Sequence, residues 1–198
     1  MMKTTVLLLP GYLNSGPDHW QSYLEQRFSN VKRVQQKDWL VPDRQAWVQA
    51  ITEAVAQTEG DILLVGHSCG SVAIAQWATD PFSNALSHNG RIRGLLLVAP
   101  ADVDADNALP PLRAQRPLPH CKIPFSTVML CGDNDDYTDF ERSQLFAKEW
   151  GCELIVIENG GHLNADAGFG YWPQIETFIE GFTADPILIR CRSFVSED

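Results

Sequence analysis

The sequence predicts an α/β fold: a doubly wound, mostly parallel sheet of about six strands, with helices on both faces and no separate lid domain. Three features predict it. Short apolar runs recur along the 198 residues, the runs are continuous rather than alternating, and segments with helical spacing fall between most of them. A strand that is apolar at successive positions is buried on both faces, as in a parallel sheet covered by helices.

The first run is TTVLLLP, Thr4 to Pro10, and HWQSYLEQRF after it has helical spacing. VKRVQQ, Val31 to Gln36, is a weaker strand, its two valines set among charged and amide side chains. In the next helix, DRQAWVQAITEAVAQ, Trp47, Ile51, Ala54 and Val55 share one face, and Asp43 before them supplies a cap. ILLVG, Ile62 to Gly66, leads into the helical SVAIAQWAT, and IRGLLLVAP, Ile92 to Pro100, follows. Ala101 to Pro124 then breaks the alternation with five prolines. A loop of that length at a strand's C-terminal end is usually functional, so it is expected to border the site. FSTVMLC (Phe125 to Cys131), DFERSQLFAKEW, ELIVIE (Glu153 to Glu158) and YWPQIETFIEGF restore the alternation. Residues 1–184 are expected to form a single domain, and 185–198, with Pro186 and an apolar ILI, a tail that is an edge strand, a contact or a frayed end.

A chain of this length supports one well-buried core. With 44% apolar and 20% charged residues it belongs with globular proteins rather than disordered ones. Fifteen Lys and Arg against 25 Asp and Glu give a formal charge of -10, which repels nucleic acid and anionic membranes. The N-terminal apolar run is too short for a signal peptide or a membrane span, so a cytoplasmic address is expected. Cys69, Cys121, Cys131, Cys152 and Cys191 include no CxxC pair and read as reduced thiols packed as small hydrophobes. Neither G-x-G-x-x-G nor G-x-x-x-x-G-K-[ST] is present, which leaves a nucleotide phosphate without a cradle.

The chemistry gathers where strands end. Gly66-His67-Ser68-Cys69-Gly70 fits G-x-S-x-G between a strand and a helix, the context of a nucleophile elbow. A serine there sits on a strained turn that needs small neighbours, and the N–H of Cys69 at the helix start is placed to hold an oxyanion. Serine needs a base. His162 follows ELIVIE and a glycine pair, whereas His67 shares the serine's own turn, His88 and His120 lie in loops, and His19 opens a helix. An acid to orient the base is expected after FSTVMLC, where Asp133, Asp135, Asp136 and Asp139 cluster. Gly132-x-x-Asp135 has the spacing common after such strands, which makes Asp135 the first choice and Asp136 the second. Ser68, Asp135 and His162 thus occur in the order Ser, Asp, His, each just past a strand end, where open α/β sheets bind ligands. The glycine-rich PGYLNSGPDHWQ after the first strand offers the N–H of Tyr12 as a second oxyanion donor.

Together these stretches, with KDWLVPDRQAWV, GHSCGSVAIAQWA, LLLVAPADVD, NDDY and GGHLNADAGFGYWPQ, resemble the small serine hydrolases named after retinoblastoma-binding protein 9 and their YdeN-like relatives, over roughly residues 4–182. The resemblance implies a compact α/β-hydrolase core with sheet order 2-1-3-4-5-6, a triad of Ser68, Asp135 and His162, and neither a metal nor an organic cofactor. It departs at Asp136, where the family usually has proline. His19, Trp20 and Trp39 belong to the resembling motifs and are candidates to wall the substrate pocket. For Trp20, packing of the first helix is the competing role.

The expected function is therefore hydrolysis of a small carboxylic ester or related acyl compound by a serine hydrolase. The rival is a hydrolase scaffold that captures a partner protein with slight or vestigial turnover.

Overall fold

The computed structural model describes residues 3–191. Six strands, β1 (Thr4–Leu9), β2 (Val31–Arg33), β3 (Asp61–His67), β4 (Ile92–Val98), β5 (Thr127–Gly132) and β6 (Glu153–Ile157), form one sheet of order 2-1-3-4-5-6. All neighbouring pairs are parallel. The helices are α1 (Trp20–Arg27), α2 (Arg44–Gln57), α3 (Cys69–Thr79), α4 (Phe140–Trp150) and α5 (Gln174–Glu180).

The unbroken apolar runs are explained by two cores. Leu7, Leu9, Ile62, Leu64, Leu95, Leu97 and Met129 face one way, against Trp47, Ile51 and Val55 of α2, Val72 of α3 and Phe146 of α4. Val6, Leu8, Leu63, Val65, Leu96, Val98 and Leu130 face the other, against Trp20 and Leu24 of α1 and Ile175 and Ile179 of α5. Each such side chain contributes roughly 1.5–3 kcal/mol on burial, which outweighs the weak intrinsic strand preference of leucine. Asp43 Oδ1 caps α2, accepting from the N–H of Ala46 at 2.8 Å. No helix among the described residues is long and apolar enough to cross a membrane.

Three features differ from the sequence reading or sharpen it. β2 is only three residues long, because this edge strand pairs on one side alone. The 101–124 stretch contains a 3-10 turn at Pro110–Gln115, tied to α3 by fully buried amides. Gln76 Nε2 donates to the carbonyls of Gln115 and Pro117, and Gln115 Nε2 to that of Cys69 at 2.8 Å. In the tail, Ile187 is buried, Asn30 bonds Ile187 and Ile189, and Phe28 bridges Arg190 antiparallel. The remainder of the 185–198 tail, from 192 on, lies outside the described residues.

The junction of β3 and α3 depends on two close approaches. A Cβ on Gly66 would lie 2.6 Å from the amide nitrogen of Ser71. A Cβ on Gly70 would overlap the carbonyl of Leu9 and lie 2.6 Å from that of Pro10, so the helix start is pressed against the end of β1. Gly70→Ala should therefore destabilise at or above the upper end of the roughly 1–3 kcal/mol typical of overpacking, because backbone cannot yield as a side chain does. Gly90→Ala, with open space around its Cβ, should stay within about 0.5 kcal/mol. Urea unfolding of the two variants checks the contrast, and equal midpoints would contradict it.

Candidate active site

Ser68 caps α3 with φ 54° and ψ -123°, a left-handed conformation unfavourable for a side chain, and its N–H is held by the carbonyl of Val98 at 2.9 Å. The turn lifts the residue out of β3 at the C-terminal edge of the sheet. Gly11 approaches it from the loop after β1 so closely that a Cβ there would sit 2.8 Å from Ser68 Cβ. The N–H groups of Tyr12 and Cys69 and the Ser68 hydroxyl all lie near Cys69 Sγ, where they favour its charged form; burial outweighs them and pushes this thiol up to about 12. Cys69 is thus an inert buried thiol.

His162 stands in the loop after β6. Its Nδ1 meets Asp135 Oδ2 at 2.8 Å and Oδ1 at 3.0 Å, and both side chains are nearly excluded from solvent. A carboxylate on Nδ1 holds the neutral ring's proton there and leaves Nε2 free to accept. The residues just before Asp135 brace the same loop: Asp133 Oδ1 accepts from the N–H of Asn159 and Asn134 Oδ1 from that of Gly161, each at 2.7 Å. The sequence reading named Asp133 only as a candidate acid and gave Asn134 no role. Their signal was a run of short acceptors ahead of the chosen aspartate, opposite a glycine-rich loop whose amides need partners. Asp136 is exposed and has no contact with His162 among those described.

Ser68 and His162 line one cavity of about 460 Å³ with Gly11, Tyr12, His19 and Tyr137. No Ser68–His162 hydrogen bond is formed among the described residues; such contacts commonly tighten only when substrate binds. Exposed Asp18 and Asp166 line the cavity, and among the described residues no lysine or arginine does. Leu109 and Leu112 bring the 101–124 stretch to the wall. Trp20 and Trp39, candidates for that wall, do not line it. Trp20 is buried in the α1 contact and donates its Nε1–H to the carbonyl of Leu163 at 2.9 Å, and Trp39 stacks edge-on against Trp47 at 5.8 Å. An indole at a helix entry gains more from complete burial than from facing water.

Three histidine rings meet edge-to-face, His19 to His67 at 4.7 Å and His67 to His162 at 4.9 Å. His67 Nε2 lies 2.9 Å from the carbonyl of His162, which only an Nε2–H can satisfy. It therefore fixes the loop bearing His162. His67→Gln keeps a donor at nearly the same reach and should retain most hydrolase activity; His67→Leu leaves a buried carbonyl unpaired and should lower kcat/KM by roughly tenfold. Equal losses in both would show that the bond is unimportant.

His19 caps α1 through Nδ1, which accepts from the N–H of Gln21 at 3.2 Å, so its proton is on Nε2, which has no partner among the described residues. Burial, then the charges of Arg33 and His162, lower His19 to about 4, and burial holds His67 well below its usual range. Both are neutral in the folded protein at neutral pH. The unfolded chain binds the extra proton near 6.5, so His19 contributes full stability above that pH and loses it as the pH falls towards 4, by on the order of 3 kcal/mol. His19→Asn keeps a capping oxygen and removes the titration. Urea midpoints measured from pH 7 to pH 4 should fall less steeply for this variant than for the parent; parallel curves would contradict the assignment.

A parallel sheet of this order, a strained serine elbow after β3 and a histidine after β6 define an α/β-hydrolase. The chain belongs to the serine hydrolase family, whose model matches residues 6–180. It is similar to the structure of a YdeN-like hydrolase from Pectobacterium atrosepticum, with 30% identity and a TM-score of 0.77 over 91% of this chain and 90% of that one. The ydeN gene product of B. subtilis is 19% identical with a TM-score of 0.70, over 92% of this chain and 100% of its own. The type II thioesterase BorB from the borrelidin biosynthetic cluster shares the fold at 14% identity and a TM-score of 0.61, over 96% of this chain and 93% of its own. No curated protein matches the chain.

Proposed function

We propose that this hydrolase cleaves small, uncharged carboxylic esters through an acyl-enzyme, with Ser68 as nucleophile, His162 as base and Asp135 as its orienting acid. The observation that carries the reading is the shared cavity: a serine on a strained elbow opposite a histidine whose Nδ1 is held by a buried carboxylate. Ser68 Oγ attacks the carbonyl carbon while His162 Nε2 takes its proton, and the N–H groups of Tyr12 and Cys69 hold the resulting oxyanion. Collapse expels the alcohol, which leaves with the proton from Nε2. Water then attacks the acyl-enzyme, giving its proton to the same nitrogen, and the acid departs as that proton returns to Ser68. Asp135 keeps the tautomer and stabilises the transient imidazolium.

Esters are favoured over thioesters because, among the described residues, no lysine or arginine lines the cavity to meet the phosphates of a bulky thiol carrier. Initial rates with p-nitrophenyl acetate and with acetyl-coenzyme A test this: ester turnover should exceed thioester turnover at least about tenfold, and the reverse order would overturn the ester assignment. A cytoplasmic site of action is the expectation drawn from the sequence, and capture of a protein partner is the rival reading, which the sequence does not itself indicate.

A further inference from the structure

A second cavity, of about 110 Å³, lies beside the first. The two share Leu109, Leu112 and Tyr137 as a common wall. Tyr137 also touches the chemistry, its ring 4.4 Å from that of His162. We propose that this smaller cavity binds a short, unbranched aliphatic group of the substrate, about three to five carbons long. The proposal rests on the esterase reading and names the substrate class that reading leaves open.

The lining decides the chemistry. Ala101, Val103 and Ala108 join the two leucines to give aliphatic walls. The polar lining consists of exposed Asn107 and Asp136 and buried Asp102. Asp102 is fully engaged: Arg142 Nε donates to Oδ2 at 2.6 Å and Nη2 to Oδ1 at 3.3 Å, and the backbone N–H is held by Thr138 Oγ1. Arg142 is committed to that pair, so no free cation faces the space, and a carboxylate or phosphate entering it would meet Asp102 and Asp136 instead. Leu109 and Tyr137 stay 41% and 46% exposed, a solvent cost that substrate contact removes.

Volume sets the length. A dry cavity of about 150 Å³ accepts benzene, so one about a quarter smaller excludes a phenyl ring and admits a short chain. Filling it should raise kcat/KM by roughly fourfold per methylene until the space is used.

The test has three arms. Hydrolysis of p-nitrophenyl acetate, butyrate, hexanoate and octanoate varies the acyl side, and n-alkyl acetates vary the alcohol side. One series should rise by about fifteenfold over its first two added methylenes and then level or fall, which identifies the side that enters; two flat series overturn the proposal. Ala108→Phe, in a half-exposed loop position that lines the space, should cut the two-methylene gain of whichever series rises to below about twofold; an unchanged gain in that series overturns it too. The third arm needs no turnover. Titrating 1-butanol into inactive Ser68→Ala protein should move the amide resonances of Val103, Ala108 and Leu112 saturably, and should fail to do so once Ala108→Phe is added. Saturable shifts without parent turnover would condemn the esterase reading and leave the cavity standing; turnover without shifts would condemn the cavity alone.

Discussion

Ser68→Ala should lower kcat for ester turnover by about four to six orders of magnitude, while the melting temperature changes little. The loss is large because nothing nearby can replace the hydroxyl. Cys69 is adjacent and nucleophilic in principle, but its sulfur is buried and its thiol held up to about 12, so it carries almost no thiolate at neutral pH. The fold should survive because the backbone holds the elbow in place: the N–H of residue 68 pairs with Val98, and its carbonyl accepts from Ser71 and Val72. Residual turnover above the uncatalysed rate is expected from the N–H groups of Tyr12 and Cys69. Initial-rate assays of purified parent and variant, with melting curves as a folding control, make the comparison. Activity within tenfold of the parent would mean that another group attacks the carbonyl.

The second large effect separates two adjacent carboxylates. Asp135→Asn retains shape and burial, yet its amide NH2 can face Nδ1 only if that nitrogen gives up its proton, which moves the proton to Nε2 and removes the base. A kcat loss of about four orders of magnitude is expected. Asp136→Asn alters an exposed side chain away from His162 and should stay within about threefold of the parent. Steady-state kinetics on both variants decide the matter, and a reversed order would move the acid to Asp136. The same experiment addresses the departure from proline at position 136, which the geometry turns towards the smaller cavity rather than the triad.

The fold was legible because burial on two faces leaves a pattern that survives without neighbours: leucine and valine at consecutive positions in β1, β3 and β4. β2 was faint for the same reason, since an edge strand with Lys32 in the open has little to bury. Of the site, the elbow and the glycine-histidine step showed in the sequence because the close backbone approaches at Gly66 and Gly70 and the positive φ of Gly161 demand glycine. What did not show was whatever depends on side chains from distant segments meeting. Gln76 and Gln115 are polar residues that look solvated in sequence, yet both are fully buried, tying the 110–117 segment to α3. That tie brings Leu109 and Leu112 to the cavity, and no local pattern announces it. Trp20 and Trp39 erred the other way: aromatic residues near the site motif were drawn inward by the core. Asp133, Asn134 and His67 brace the His162 loop through backbone groups; the run of short acceptors before Asp135 hints at the first two, and nothing local hints at His67.

The most direct test of the account is covalent. A fluorophosphonate probe loses fluoride to an activated serine and leaves a stable phosphonyl adduct, so peptide mass spectrometry reports the nucleophile itself. The account predicts near-stoichiometric labelling of the parent on Ser68, strong reduction in His162→Ala, and none in Ser68→Ala. A parent that stays unlabelled, an adduct on another residue, or equal labelling of Ser68→Ala would contradict it.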